Sequence, residues 1–456
     1  MPGDPVGEIK FMGLKVTKFG GSSLADAAQF EKVLAILRAD GERRIAVPSA
    51  PGKRYSADTK ITDMLYRCQA QAANGEDFLE TLNAIRARYD QIIAGLAEDA
   101  AGGCPCLDLS AEFALIALRL REGANADYCA SRGEYLSGKV LAWAWNAEFI
   151  DAADIILFQA DGVLDERATY AATAARLKDV ERSVVPGFYG SLPGGLIKTF
   201  SRGGSDITGA LVAWAAGADL YENWTDVDGV LAADPRIVAD AATIDSITYR
   251  ELRELSYMGA TVLHEDAIFP VRKAGIPINI RNTNAPAHPG TMITAVATEE
   301  KRTSPVTGVA GRKGFSVINV EKAMMNSELG FGRRVLSVLE NHGISFEHLP
   351  SGIDTLSVVV ETAYLNEQRS QVLDDLFAAV CPDDVEIIDG LALVATVGRG
   401  MVRNPGTAAR LFGALSQARI NVRMIDQGSS ELNIIVGVVI EDFEAAIAAI
   451  YREFVS

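Results

Sequence analysis

Sliding the C-terminal third of the chain along itself by 76 residues superimposes Gly330 on Gly406, Leu339 on Leu415, Ile344 on Ile420, Gly352 on Gly428 and Leu356 on Leu432. A fixed offset of this kind means that one supersecondary unit is used twice, and it removes most other ways of folding the segment. Each copy reads as a helix, a tight turn, a strand, a glycine turn and a second strand. The spacing predicts two βαββαβ units. In the first, FSVINVE, SFEHLPSG, TLSVVVE and EIID are strands around helices over 331–342 and 365–380. In the second, LALVATVG, NVRMIDQGS and ELNIIVGVVI alternate with helices over 407–418 and 443–455. A four-stranded sheet this small leaves an edge and a face uncovered, so each unit is expected to pair with another copy.

Upstream of the repeat the periodicity changes. A strand over Leu14–Lys18 runs into GGSS and then into a helix with Phe30, Val33, Leu34 and Leu37 on one face. A second strand, Ile45–Ser49, stops at a Pro-Gly turn followed by GKRYSADTKIT, a polar stretch that reads as a mobile loop. Helical segments dominate to about residue 147. FIDA, DIILFQA, SVVPGFYG, a helix over Asp206–Ala216 and LYENWTDVDGV then alternate as strand and helix, which predicts a mainly parallel sheet between helical layers. The expected organisation is an α/β domain over 1–298, a polar linker over 299–306, and repeats over 307–384 and 385–456.

Composition excludes several classes of partner. With 43 Lys and Arg against 60 Asp and Glu, the net charge is -17, which opposes long-range attraction to nucleic acid or an anionic membrane. An anionic ligand has to be held by a local cluster. No run approaches the 18 or so apolar residues of a membrane span. The five scattered cysteines fit reduced thiols, and with the absence of a leader-like N-terminus they predict a cytoplasmic protein. Cys104 and Cys106 have no histidine at a ligand spacing, so no metal site is expected.

Three glycine-bearing segments carry the chemistry. KFGGSS places the backbone N–H groups of Gly20, Gly21, Ser22 and Ser23 where a strand meets a helix, beside Lys18. That arrangement suits an anion, and also suits a plain turn. SRGGSD repeats the pattern with Arg202, Gly203, Gly204, Ser205 and Asp206; the arginine fork matches a carboxylate, and Asp206 reads either as a helix cap or as a catalytic group. TDVDGVLAADPRIV brings Asp226, Asp228, Asp234 and Arg236 together, as a nucleotide pocket or as a solvated turn. Glu134, in SRGEYLSGKVLAWA, begins an apolar helix and either caps it or faces an ammonium.

In this order KFGGSS, VPSAPGK, SRGEYLS, PGFYG, SRGGSD, TDVDGVLAADPR and MGATVLHEDAIFPVRKAGIPINI resemble the aspartate kinase family over the whole chain, and the terminal repeat resembles its pair of ACT domains. The resemblance implies the amino-acid-kinase fold and transfer of the γ-phosphoryl group of ATP, as MgATP, to the side-chain carboxylate of L-aspartate. It implies that Lys18 bridges the β- and γ-phosphates, that Gly20, Gly21, Ser22 and Ser23 hold the moving group, and that Asp206 organises Lys18. Arg202, with Gly203, Gly204 and Ser205, would clamp a substrate carboxylate and Glu134 the ammonium, with Ser49, Thr62 and Phe188 completing the pocket. Thr225, Asp226, Gly229, Leu231, Arg236 and Thr261 would line the nucleotide site. Leu231 and Thr261 stand where many relatives have tyrosine and lysine, and Glu265 where proline is usual.

MNSELGFGRRVLSVLENHGISFEHL resembles the family's effector site. The matching positions are Met325, Glu328, Gly330, Phe331, Gly332, Ser345, Phe346 and Glu347. A glycine-opened helix N-terminus there receives an effector carboxylate and an acidic side chain its amine. Lysine is the expected effector, with threonine as the alternative, and a homodimer or homotetramer through the ACT domains is the expected assembly.

Overall fold

The computed structural model describes residues 13–99, 107–201, 203–260, 263, 265–296 and 304–455. The chain divides into two compact units. The first takes in Met1–Val230, Asp245–Tyr249 and Val262–Thr298, the second Leu231–Ile244, Arg250–Thr261 and Glu299–Ser456.

The strands of the first unit are β1 (Lys15–Phe19), β2 (Arg43–Pro48), β3 (Glu148–Phe149), β4 (Ser183–Val184), β5 (Tyr189–Ser191), β6 (Ile197–Thr199), β7 (Leu220–Thr225), β8 (Ser246–Thr248), β9 (Ile278–Asn282) and β10 (Thr291–Thr294). Eight of them form one sheet in the order β3-β4-β2-β1-β7-β9-β10-β8. It is parallel from β3 to β9, and β10 then runs antiparallel to β9. β1 lies at the centre, with Lys18 in register with Val47 of β2 and Asn223 of β7. Both faces are covered, so β1, β2 and β7 are nearly continuous runs of buried residues.

Helices Ala27–Arg38, Ile61–Ala73, Leu79–Asp99, Ser110–Arg121 and Ala126–Trp145 surround a core that includes Phe19, Phe30, Leu65, Ile85, Tyr89, Phe113, Leu136 and Trp224. Among the described residues no helix is long and apolar enough to cross a membrane.

Two expected strands take another form. DIILFQA contributes the short helix Ala152–Ile155, because Asp151 caps it by accepting from the Ala153 N–H at 3.0 Å. Isolated bridges from Leu157 to Ser191 and from Phe158 to Leu164 are what remain of the strand. In SVVPGFYG, Ser183–Val184 alone joins the sheet. Val185 and Gly187 still donate to the Ala46 and Pro48 carbonyls of β2 at 3.0 and 3.1 Å, Pro186 between them has no N–H to give, and the chain then enters the separate β5-β6 hairpin.

The second unit holds β11 (Gly308–Glu321), β12 (Phe346–His348), β13 (Thr355–Glu361), β14 (Asp384–Val397), β15 (Met424–Asp426) and β16 (Asn433–Val439), in one antiparallel sheet of order β12-β13-β11-β14-β16-β15. β11 and β14 pair along their length with register slips around Phe315, close to Gly314 at φ +98 and Gly390 at φ +75. Each long strand therefore serves two half-sheets. Phe315–Glu321 pairs with β13, while Gly308–Lys313 lies opposite Ala392–Val397, within the part of β14 that pairs with β16. The second repeat has no final strand in its own sequence; the structure supplies it from Gly308–Lys313, at the start of the first repeat and ahead of FSVINVE. A strand that serves a later unit has no local signature, which explains the omission.

Residues 231–244 and 250–260 contribute to this unit as well. Val309 N–H donates to the Ala232 carbonyl at 2.8 Å and Ala242 N–H to the Tyr451 hydroxyl at 2.8 Å. Glu251, with no exposed surface, accepts from the Thr307 hydroxyl at 2.6 Å and from Arg399 N–H at 3.1 Å.

Candidate active site

Lys18, one residue before the end of its strand, is only 8% exposed, which requires a partner for its charge. Its Nζ lies 2.6 Å from Asp206 Oδ1 and 3.4 Å from Asn223 Oδ1, and Asn223 Nδ2 donates to the same Asp206 oxygen at 2.9 Å. Asp206 sits in the first turn of helix Gly204–Ala216, and no side chain caps that helix: its N-cap is Gly203, at φ +58. The carboxylate faces the ammonium and is not a cap. Asn223, in the next strand of the sheet, carries no signal in the sequence, because a lone asparagine in LYENWT resembles any other polar strand residue.

After Phe19 the chain makes a single 3₁₀ turn, Gly21–Leu24, held by Gly20 N–H donating to the Trp224 carbonyl at 2.9 Å. A Cβ on Gly21 would lie 2.8 Å from the Ala50 carbonyl oxygen, closer than such atoms approach. Gly52 N–H donates to the Gly21 carbonyl at 2.7 Å, joining the loop after β2 to the turn. The polar stretch 53–60 is thus tied at its base. Ser23 is buried and its hydroxyl lies 2.8 Å from that of Thr283, which follows β9 and was not anticipated.

The second glycine turn is equally close-packed. A Cβ on Gly204 would fall 2.6 Å from Phe188 Cδ2, and one on Gly187 2.6 Å from Ser205 Cβ. Phe188 adopts φ +79, a costly conformation for a bulky residue, and its N–H donates to the Thr208 hydroxyl at 3.1 Å.

Glu134 does not begin its helix. Asn125 caps Ala126–Trp145 by accepting from Tyr128 N–H at 2.8 Å, and Glu134 lies two turns further on. It is 5% exposed, accepts a backbone bond from Ala50, and has one oxygen, Oε2, without a partner. Burial pushes its pKa up to about 8. Ser49, whose N–H donates to the Phe19 carbonyl at 3.0 Å, and Thr62, second residue of helix Ile61–Ala73, flank the same loop.

At the end of β7 the Thr225 hydroxyl donates to exposed Asp226 at 3.1 Å, Asn282 Nδ2 donates to Asp228 at 2.8 Å, and Gly229 takes φ +133. Leu231 and Arg236 belong to the second unit, where Arg236 is 86% exposed and paired with Asp234 at 2.6 Å. Arg202, Thr261, Cys104 and Cys106 lie outside the described residues. Among the described residues no group of three or more His, Cys, Asp or Glu side chains is arranged to hold a metal ion.

The positions assigned to an effector cluster around helix Phe331–Asn341. Gly330 precedes it at φ +78, Gly332 faces open space, Phe331 and Met325 are buried, and Ser345 and Phe346 are exposed. Glu328 pairs with Lys322 at 2.7 Å and with Arg334, and the Lys322 bond foremost holds its carboxyl below the usual range. Glu347 accepts from the Tyr257 hydroxyl at 2.6 Å, a partner no sequence motif indicated.

A parallel sheet with a buried ammonium near the end of its central strand, paired to an aspartate at a helix start, and with two close-packed glycine turns is the setting of a phosphotransferase of the amino-acid-kinase class, and comparisons with known proteins agree. Residues 13–282 match the amino acid kinase family and residues 394–454 an ACT domain. Aspartokinase 3 of Bacillus subtilis (strain 168) is 38% identical over 458 residues, 97% of this chain and 98% of that protein. The crystal structure of Clostridium acetobutylicum aspartate kinase is 49% identical and aligns over 97% of this chain and 100% of its own, with a TM-score of 0.86. That of E. coli aspartokinase III with aspartate and ADP is 26% identical, covers 96% and 99%, and has a TM-score of 0.72; the same enzyme is known with lysine and aspartate. The chain belongs to the aspartokinases of the amino acid kinase family, ATP-dependent phosphotransferases.

Proposed function

We propose that the chain transfers the γ-phosphoryl group of MgATP to the side-chain carboxylate of L-aspartate, giving 4-phospho-L-aspartate and ADP, under inhibition by lysine bound to the first ACT repeat. An oxygen of the aspartate side chain attacks the γ-phosphorus and the bond to the β-phosphate oxygen breaks. The attacking carboxylate is already ionised at neutral pH, so no proton is removed and no general base is required. Catalysis is then positioning and charge neutralisation. Lys18 and the N–H groups of Gly20, Gly21, Ser22 and Ser23 neutralise the transferring group, and Asp206 keeps the ammonium aimed. Glu134 receives the aspartate ammonium; Ser49, Thr62, Phe188, Arg202, Gly203, Gly204 and Ser205 complete the acceptor pocket, and Thr225, Asp226 and Gly229 the nucleotide side.

One observation carries this reading: Ala50 joins the two halves of the chemistry. Its carbonyl crowds Gly21 in the anion-binding turn while its N–H holds Glu134, the buried carboxylate with an oxygen to spare. This link supports reading Glu134 as a cation-binding group beside a phosphate-binding turn, as an amino-acid acceptor requires.

For the effector, support comes from the lysine complex of E. coli aspartokinase III and from the acidic Glu328 and Glu347 beside a glycine-opened helix. The proposal keeps the division at 1–298, 299–306, 307–384 and 385–456, a homodimer or homotetramer through the ACT repeats, and a cytoplasmic setting. The test is to incubate the purified protein with MgATP and either aspartate or glutamate, trapping the acyl phosphate as hydroxamate. Aspartate-dependent hydroxamate is expected, decreasing on addition of lysine. Turnover of glutamate without aspartate, or lysine binding with no transfer at all, would end the reading. Lys18→Ala is expected to lower kcat by about 10²–10³-fold with little change in KM, because its contact strengthens as charge develops.

A further inference from the structure

We propose that Arg88 is a positioning residue for phosphoryl transfer, fixing the acceptor-side loop against the glycine turn. The inference rests on the reading of those two segments as the sides of the transfer site. Arg88 lies mid-way along helix Leu79–Asp99, remote in sequence from every motif, and is 5% exposed. Its Nη2 donates to the carbonyl of Ala25 at 3.0 Å and to that of Gly52, and its Nη1 donates to the carbonyl of Thr59 at 3.1 Å. It also lies 3.4 Å from Asp58, which Arg54 grips from the other side through Nε at 2.8 Å and Nη2 at 3.0 Å. These bonds, the Arg54 one foremost, hold the Asp58 carboxyl well below the usual carboxylate range, so the loop keeps its counter-charge throughout the physiological pH range.

Three features make this more than a satisfied core arginine. The carbonyls bonded are the residue closing the glycine turn and two residues that bracket the loop. Gly52 returns the link through its N–H to Gly21, so a single guanidinium closes a ring that passes through the anion-binding turn. The planar fork addresses carbonyls through two separate nitrogens, which a lysine ammonium cannot reproduce from one point. Misplacement of a reacting group by an ångström costs about 10²-fold in rate. Arg88 touches no assigned substrate position and acts through Gly52 and Ala25.

The test compares Arg88→Lys and Arg88→Ala with wild type in the hydroxamate assay, each variant checked for a cooperative melt. Expected are a kcat about 10²-fold lower with KM for ATP and aspartate within about threefold, and recovery of Arg88→Ala turnover several-fold by millimolar guanidinium ion, which leaves wild type unchanged. A role in stability alone would move the melting temperature and give no such rescue. Folded variants with kcat within threefold of wild type, or a loss confined to KM, overturn the proposal. Should Arg88→Ala not fold, Asp58→Asn weakens the contact to Arg88 together with that to Arg54, and Arg54→Ala removes the second alone; a kcat several-fold lower in Asp58→Asn than in Arg54→Ala, at unchanged KM, supports the proposal, and equal kcat values refute it. An inactive wild type sinks the functional reading itself, whereas an active wild type with fully active variants sinks only the role of Arg88.

Discussion

Glu134 is a carboxylate held where its charge is disfavoured, and this makes pH a probe of its role. Its pKa is about 8 in the folded chain against an ordinary 4.5, with burial as the leading cause. The unfolded chain therefore releases this proton more readily, and the group's contribution to stability falls as pH rises from about 4.5 to 8. On the proposed role of Glu134 as the ammonium site, substrate binding has the opposite slope. Below about pH 8 the free enzyme holds Glu134 protonated, and an incoming ammonium has to displace that proton. At saturating MgATP, kcat/KM for aspartate should rise toward a plateau near pH 8. Glu134→Gln should abolish that limb and raise KM for aspartate about 10²-fold, the scale of an unpaired buried charge. A profile flat from pH 6 to 8 in wild type would remove Glu134 from the ammonium site. Lys18 and Glu134 could be singled out as candidates because Lys18 stands beside a glycine turn and Glu134 lies in SRGEYLS, one of the motifs that carry the family resemblance. Asn223, Thr283, Arg88 and Tyr257 were not, because each acts on a residue distant in sequence and nothing local marks it.

Among the elements, the glycine turns are defined by what they approach. A Cβ on Gly52 would stand 2.6 Å from the Gly21 carbonyl carbon and 2.8 Å from the Ser22 nitrogen, so the loop and the turn would have to separate. Gly52→Ala should cost about 1–3 kcal/mol through overpacking and lower kcat about 10²-fold. Gly75 is the control: at φ +73 beyond helix Ile61–Ala73, with nothing within 4 Å of an added Cβ, its change to alanine should cost about 1 kcal/mol of backbone strain and leave kcat alone. Thermal melting and steady-state kinetics on the pair separate strain from displacement. Equal kcat values for the two variants would mean that contact with the Gly21 turn does not govern transfer. Elements with a clear period were readable: the face of helix Ala27–Arg38 is buried at Phe30, Val33, Leu34 and Leu37. Those set by a single cap, such as Ala152–Ile155, or by a partner strand far along the chain, such as Gly308–Lys313, were not.

At the scale of the molecule, the chain passes between its two units repeatedly: β8 belongs to the first, and the residues on both sides of it belong to the second. Helix Tyr249–Tyr257 spans that boundary in sequence. Its later residues are fastened within the second unit by Glu251 to Thr307 and Arg399, by Glu254 to Asn433 at 2.7 Å, and by Tyr257 to Glu347. An effector amine that takes Oε2 of Glu347 competes with the Tyr257 hydroxyl for that oxygen, so part of its binding free energy would go into releasing this helix. Tyr257→Phe removes the competitor. A hydrogen bond to a charged group contributes about 1.5–3 kcal/mol, so lysine should inhibit this variant at a concentration roughly ten or more times lower, with unchanged turnover in its absence. Glu347→Ala should lose inhibition while keeping turnover. Linkage then fixes the converse: saturating aspartate and MgATP must weaken lysine binding by the same factor by which lysine weakens theirs. Titrating lysine calorimetrically with and without the substrate analogues measures that factor directly. Coincident inhibition curves for wild type and Glu347→Ala would detach Glu347 from the effector, and a shift of the Tyr257→Phe curve to higher lysine would make Tyr257 a contact of the effector and not its rival.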